Sequence, residues 1–174
     1  MNIFRPIYEY GVGLIIKDGI EFFRTKKSIK RFNSKEILSR FITHKSEYVK
    51  DSQNSERYLD IKYTAFLPHP GTEISVFRTS GVNSNLIGEL GKAVAKLRSR
   101  KLIGRADLKI KDISELRPEQ TTSDKQLGIK AGPLPFSHSN ILNFPDLNDT
   151  PQYKAQQKFY ALKMVSVAGK LIIA

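Results

Sequence analysis

Apolar residues recur with a period of two between residues 58 and 79, and this pattern constrains the fold of the chain more than any other feature. Leu59, Ile61, Tyr63 and Ala65 alternate with Asp60, Lys62 and Thr64, and Pro68-His69-Pro70-Gly71 then interrupts the run. Beyond it, Ile74 and Val76 alternate with Glu73, Ser75 and Phe77. Side chains on a strand point to opposite faces in turn, so the pattern predicts two antiparallel strands, 58–67 and 73–79, joined by the proline-rich turn.

Helical periods lie outside this region. Asn33 followed by Glu36 has capping-box spacing, and Ile37, Leu38, Phe41 and Ile42 follow at helical positions, which predicts a helix over 34–44. Asn83 or Ser84 caps a second helix, 84–99, with Leu86, Ile87, Leu90, Val94 and Leu97 on one stripe. Gly88 and Gly91 weaken that helix without breaking its period. Thr150-Pro151 opens a third, 151–168, with Ala155, Phe159, Leu162 and Val165 facing inward and Gly169 at its end. Leu108 and Ile110 alternate with Lys109 and Lys111 in a third strand candidate, 106–113, and Asp112 caps a short helical turn reaching Leu116. The polar stretch 46–56 reads as a loop. So does 118–136, with three prolines and two glycines. The expected fold is α+β: a single domain with a small antiparallel sheet packed against two or three helices. Residues 1–50 form a basic N-terminal segment that is either part of the core or a subdomain split off near residue 50, and 51–174 form the core domain. At 174 residues and 40% hydrophobic content, the chain suits one core.

The absence of cysteine excludes disulfides, thiolate metal sites and a cysteine nucleophile. Val12 to Ile16 is far shorter than the roughly 20 residues a spanning helix needs, so membrane insertion is not expected. No secretory h-region follows the start, and the expected location is cytoplasmic.

Charge points toward a partner. Lys and Arg number 29 against 17 Asp and Glu, a formal net charge of +12. The excess is spread along the chain: 11 basic against 5 acidic residues in 1–50, 7 against 5 in 51–100, and 11 against 7 in 101–174. Such a distribution suggests a basic face on a folded body, and a polyanion, nucleic acid first, as its partner. Lys92, Lys96, Arg98, Arg100, Lys101, Arg105, Lys109 and Lys111 place eight cations in twenty residues against the single acid Asp107. With help from Arg24 to Arg31, this cluster is the expected nucleic-acid-binding surface, contacting phosphates by charge and by bidentate arginine bonds. RNP-like and zinc-finger motifs are absent, so an accessory binding protein is expected rather than a sequence reader, with RNA and DNA equally open.

An enzymatic alternative rests on the histidines His44, His69 and His138. A metal-independent endoribonuclease, or another phosphoryl-transfer enzyme, needs a base, an acid and a cation for the developing phosphorane charge. His138 in its loop, His44, and Arg78 or Arg105 supply these residue types. His69 in its Pro-His-Pro turn reads as merely exposed. Metal-dependent nuclease chemistry would use Asp60, Lys62 and Glu73, or Asp107 and Lys109, but outward charges on any amphipathic strand give the same spacing. Glycine loops for phosphates are missing, since no Lys-Ser or Lys-Thr follows Gly128 or Gly132. No metal or cofactor is expected.

Four blocks occur in order along the chain: Ala65-Phe66-Leu67-Pro68, Ser75-Val76-Phe77-Arg78, Gly104-Arg105-Ala106-Asp107-Leu108 and Pro135-Phe136-Ser137-His138-Ser139-Asn140-Ile141. Over residues 65–165 the sequence resembles a group of small bacterial proteins of uncharacterised activity, except that Asn143-Phe144-Pro145 stands where that group has Gly-Trp-Pro. The resemblance implies a folded bacterial domain and no particular reaction. A third functional class, an interaction subunit of a larger complex, draws on the aromatic-rich N-terminal segment and the apolar tail Leu171-Ile172-Ile173 as surfaces for a protein partner.

Overall fold

The structure is a computed structural model that describes residues 32–51, 53, 58–68, 72–116, 127–131, 138–145 and 151–174. The basic stretch Arg24–Arg31, His69 and its turn, and most of the expected 118–136 loop lie outside the described residues.

The architecture is α+β, with an antiparallel six-stranded sheet in the order β6-β7-β4-β1-β5-β8. Its strands are β1 (Ile37–Ile42), β4 (Ile74–Arg78), β5 (Gly104–Lys109), β6 (Gly128–Ala131), β7 (His138–Leu142) and β8 (Ile172–Ile173). Two short strands, β2 (Tyr48–Lys50) and β3 (Tyr58–Ile61), pair separately. The helices are α1 (Ser84–Leu97), α2 (Ile110–Ser114) and α3 (Pro151–Ala168).

The expected helix over 34–44 is β1, an interior strand of the sheet. Half of its capping box forms: the Asn33 N–H donates to Glu36 Oε2 at 3.3 Å, while Asn33 Oδ1 accepts from the Lys35 N–H at 2.9 Å and the Glu36 N–H goes to the Asn33 carbonyl. They close a turn that leads into a strand. Both faces of β1 are covered, so apolar residues occupy odd and even positions alike, and the spacing imitates a helix. Leu38 and Ile42 join the larger core, while Phe41 joins the second core on the opposite face. Residue 32 onward therefore belongs to the body of the protein. β1 pairs with β5 from Ile37↔Lys109 to Ile42↔Gly104.

The expected hairpin of 58–67 with 73–79 does not form. β3 pairs with β2, and β4 pairs with β1 and β7. After Ile61 the chain enters a 3-10 turn, Tyr63–Phe66, which drives the adjacent Ala65 and Phe66 into the core together, both with no exposed surface. Alternation along a half-buried strand cannot bury two consecutive side chains on one face. The expected strand 106–113 begins and ends earlier: it is β5, and α2 follows, burying Ile110 and Ile113 at helical spacing. Residues 128–131, expected in a loop, form edge strand β6. His138, also expected in a loop, opens β7.

One face of the sheet, with Leu38, Val76, Ala106, Leu108 and Ile141, packs together with Tyr160, Ala161 and Met164 of α3. The other face carries Phe41 and Phe77 against Ile87 and Ala95 of α1 and against Leu102. Asn83 caps α1, accepting from the Asn85 N–H at 2.8 Å. Gly91 lets α1 lie against the sheet, because a Cβ there would stand 2.9 Å from Phe41 and Leu102 carbons. At Gly104 a Cβ would run into the Ile172 carbonyl, so glycine admits β8 to the sheet edge. Among the described residues, no helix is long and apolar enough to cross a membrane.

Candidate functional site

β1 and β4 pair at Leu38↔Arg78 and Ser39↔Phe77, whereas β4 pairs with β7 along Ile74–Phe77. The first half of β4 thus leans on β7, and the next β1 residue, Arg40, spans the gap to it. Its Nε donates to the Ala65 carbonyl at 3.0 Å, and its Nη1 to the Ser75 carbonyl at 3.1 Å. Nη2 reaches Glu47 Oε1 at 3.4 Å, with both side chains largely buried. The same carboxylate organises the turn after β1, since Glu47 Oε2 accepts from the Thr43 and His44 N–H groups, each at 2.8 Å. Burial lowers the Arg40 pKa from its ordinary value; Glu47 opposes this, and Arg98 and Arg100 add to it.

This end of the sheet holds a cleft of about 760 Å³. Arg40, His44 and Glu47 line one side, with Ser75 and Glu73 of the β4 region and Arg98 and Arg100 at the end of α1. The last two are delivered by the helix terminus. The Arg98 N–H donates to the Ala95 carbonyl, Ser99 takes the left-handed conformation at φ 51°, and the Arg100 N–H returns to the same carbonyl at 2.9 Å. Both guanidinium-bearing side chains are exposed at the mouth. Glu73 Oε2 accepts from Asn140 Nδ2 at 2.6 Å, tying β7 to the rim.

The two histidines singled out in the sequence both reach this region. His44 lines the cleft, and its Nδ1 lies 2.7 Å from Ser46 Oγ. His138 packs its ring on Phe77, centroids 5.4 Å apart, and its Nε2 lies 3.0 Å from Ser75 Oγ in the cleft wall. Burial, then the Arg98 charge, hold the His138 pKa below its ordinary 6.5, against a weaker pull from Glu73. Neutral imidazole is therefore the form favoured at pH 7.

The expected arginine partners lie elsewhere. Arg78 is buried in an ion pair with Glu36, Nη2 to Oε1 2.6 Å and Nε to Oε1 3.1 Å, with the Phe32 ring 4.7 Å from its guanidinium. Arg105 is paired with Asp107 at 3.2 Å on β5, and Asp107 also accepts from Ser39 Oγ. The eight-cation cluster is likewise divided. Arg98 and Arg100 stand at the Gly104 end of β5, whereas Lys109 and Lys111 stand at its other end, roughly 16 Å away at about 3.3 Å per strand residue. Lys92 pairs with Glu89, and Lys111 with Glu115. Lys96 lies in the last turn of α1, and Lys101 is exposed just beyond it. Asp60, Lys62 and Glu73 do not share a hairpin, because β3 pairs with β2 while β4 pairs with β1 and β7. Among the described residues, no group of three or more His, Asp or Glu is placed to hold a metal ion. The tail residues Ile172 and Ile173 form β8 on the edge of β5 with their side chains exposed.

Arg40 and Ser75 escape sequence reasoning for different reasons. Arg40 sits inside a segment that imitates a helix, where a charge is unremarked; in an interior strand it would signal a buried partner. Ser75 occupies an ordinary outward position of an alternating strand. Comparison with protein-family models, curated proteins and solved structures finds no match to the chain. The bacterial likeness therefore rests on the four blocks alone.

Proposed function

We propose that the protein binds nucleic acid through its phosphates at this cleft, acting as an accessory factor without base readout. The observation that carries the reading is the gathering of Arg40, Arg98 and Arg100 with His44 around one opening. Arg98 and Arg100 present forked donors suited to phosphate oxygens, while Arg40, paired with Glu47 and bonded to two carbonyls, braces the floor beneath them. Such binding weakens steeply with salt and shows little sequence preference.

Fluorescence anisotropy with labelled single- and double-stranded DNA and RNA tests this. Charge-assisted bonds contribute about 1.5–3 kcal/mol each, so Arg98→Glu with Arg100→Glu should weaken binding by about 100-fold or more at low salt. Lys109→Glu with Lys111→Glu, at the far end of β5, should change it several-fold at most. Equal losses from the two pairs would mean that diffuse charge, and not the cleft, holds the polymer. No loss from either would overturn the reading.

A further inference from the structure

The cleft wall contains a pairing that phosphate binding does not require. We propose that Ser75 and His138 form a nucleophile and general base for phosphoryl transfer on a phosphodiester held by Arg98 and Arg100. The proposal rests on the phosphate-binding reading of the same cleft and adds a reaction to it.

Ser75 Oγ and His138 Nε2 are 3.0 Å apart, within the reach that proton transfer needs. Both groups stand on adjacent strands of one sheet, where β4 and β7 pair from Ile74↔Ile141 to Phe77↔His138, so the backbone fixes their separation. The Phe77 ring holds the imidazole, and Arg40 clamps the Ser75 carbonyl at 3.1 Å. Ser75 also lines the cleft that Arg98 and Arg100 flank. Ser75 and the two arginines therefore line one opening, and His138 stands behind Ser75 at hydrogen-bond distance. Burial, then Arg98, lower the imidazole pKa, so the neutral form that a general base requires is favoured at pH 7.

In the first step Ser75 Oγ bonds to phosphorus, its proton passes to His138 Nε2, and the P–O bond to the leaving alcohol breaks as that oxygen takes the proton back. The serine-linked phosphodiester is then cut by water, with His138 taking a water proton and returning it to Ser75 Oγ. The sum is a phosphodiester and water giving an alcohol and a phosphate monoester. Arg98 and Arg100 offset the charge that develops on the non-bridging oxygens. The nucleophile belongs to the protein and not to a 2′ hydroxyl, so DNA and RNA are both substrates.

The test uses the full chain in EDTA with bis(p-nitrophenyl) phosphate, with labelled single-stranded DNA and RNA, and with diisopropyl fluorophosphate, which phosphorylates an activated serine with loss of fluoride. The expected result is p-nitrophenol release, cleavage of both polymers and an adduct on Ser75 located by peptide mass. Ser75→Ala and His138→Gln, each matched to wild type by circular dichroism, should lower turnover at least about 100-fold while oligonucleotide binding stays within about twofold. Bound oligonucleotide with no turnover and no Ser75 adduct would overturn the pair and leave the binding reading standing. RNA cleavage that survives Ser75→Ala would also overturn it, giving the attack to the 2′ hydroxyl. An adduct on Ser75 that disappears in His138→Gln, in a protein that binds no oligonucleotide, would sustain the pair and reject nucleic acid as its ligand.

Discussion

Replacing Gly91 with alanine tests how α1 is held to the sheet, because two effects of similar size act there in opposite directions. Alanine favours the helix over glycine by about 0.8–1.0 kcal/mol. Against this, the new methyl carbon would lie 2.9 Å from Leu102 Cδ2 and from Phe41 Cδ1 and Cε1, where carbon atoms prefer about 3.5–4.0 Å. Phe41 cannot easily retreat, being buried and packed on Phe77 with centroids 5.1 Å apart. Forcing a methyl into a filled core costs about 1–3 kcal/mol, so Gly91→Ala should be neutral to about 2 kcal/mol destabilising. Gly88 lies one turn earlier on the same helix, and its Cβ would meet nothing within 4 Å. Gly88→Ala should therefore stabilise by up to about 1 kcal/mol. The contrast between the two variants isolates the packing clash from propensity. Thermal unfolding followed by circular dichroism reads it, at about 2–4 °C per kcal/mol for a chain of this size. Gly91→Ala should melt at least about 2 °C below Gly88→Ala. If it melts as high or higher, the helix is not seated on Phe41 and Leu102 as described, and the placement of Arg98 and Arg100 at the cleft loses its support.

Glu36→Gln removes the carboxylate that accepts two bonds from buried Arg78, and leaving that guanidinium with a neutral partner should cost about 3 kcal/mol in urea unfolding; a loss under about 1 kcal/mol would show that the pair does not hold β1 to β4. The depressed pKa of His138 gives a pH signature of definite sign. Below about 6.5 the unfolded chain takes up a proton that the folded chain resists, so stability falls as pH drops through 6.5 toward the folded value and is unaffected above it. His138→Gln should flatten this part of the stability profile, and slopes that stay the same between pH 7 and 5 would refute the assignment.

Which parts of this fold can be read from sequence follows from how many sides of each element are covered. α1 shows its cap and period plainly, because Asn83 is local chemistry and Ile87, Leu90 and Val94 pack on the second core. α3 starts at Pro151 as expected, but the face read from Ala155, Phe159, Leu162 and Val165 is not the buried one: Ala155 and Leu162 are exposed, and Gln157, Tyr160, Ala161 and Met164 turn inward. β1 does not, because a strand buried on both faces loses the alternation that distinguishes it. β6 leaves almost no trace, with Ile129 its one large apolar residue. At the cleft, Arg98, Arg100 and both histidines are visible as residue types. Arg78 and Arg105 are equally visible, yet they spend their charge on Glu36 and Asp107. No spacing rule separates the two groups, since the difference lies in which carboxylate the sheet register brings alongside. Ser75 gains its meaning only through β7, more than sixty positions later.

The position of β1 also sets a schedule for the chain's assembly. Leu38 has Arg78 on one side and Leu108 on the other, so the oldest strand of the sheet has no neighbour until much later segments have emerged. Loop closure over such spans costs entropy before any contact returns it, which places the barrier to folding at the joining of β1 with β4 and β5. At about 5–20 residues per second, synthesis leaves β1 waiting several seconds, with Leu38, Phe41 and Ile42 unburied and both backbone edges open. Arginines from β1 and α1 can meet once β5 is in place. His138 arrives only with β7, so its contact with Ser75 is among the last in the sheet to become possible.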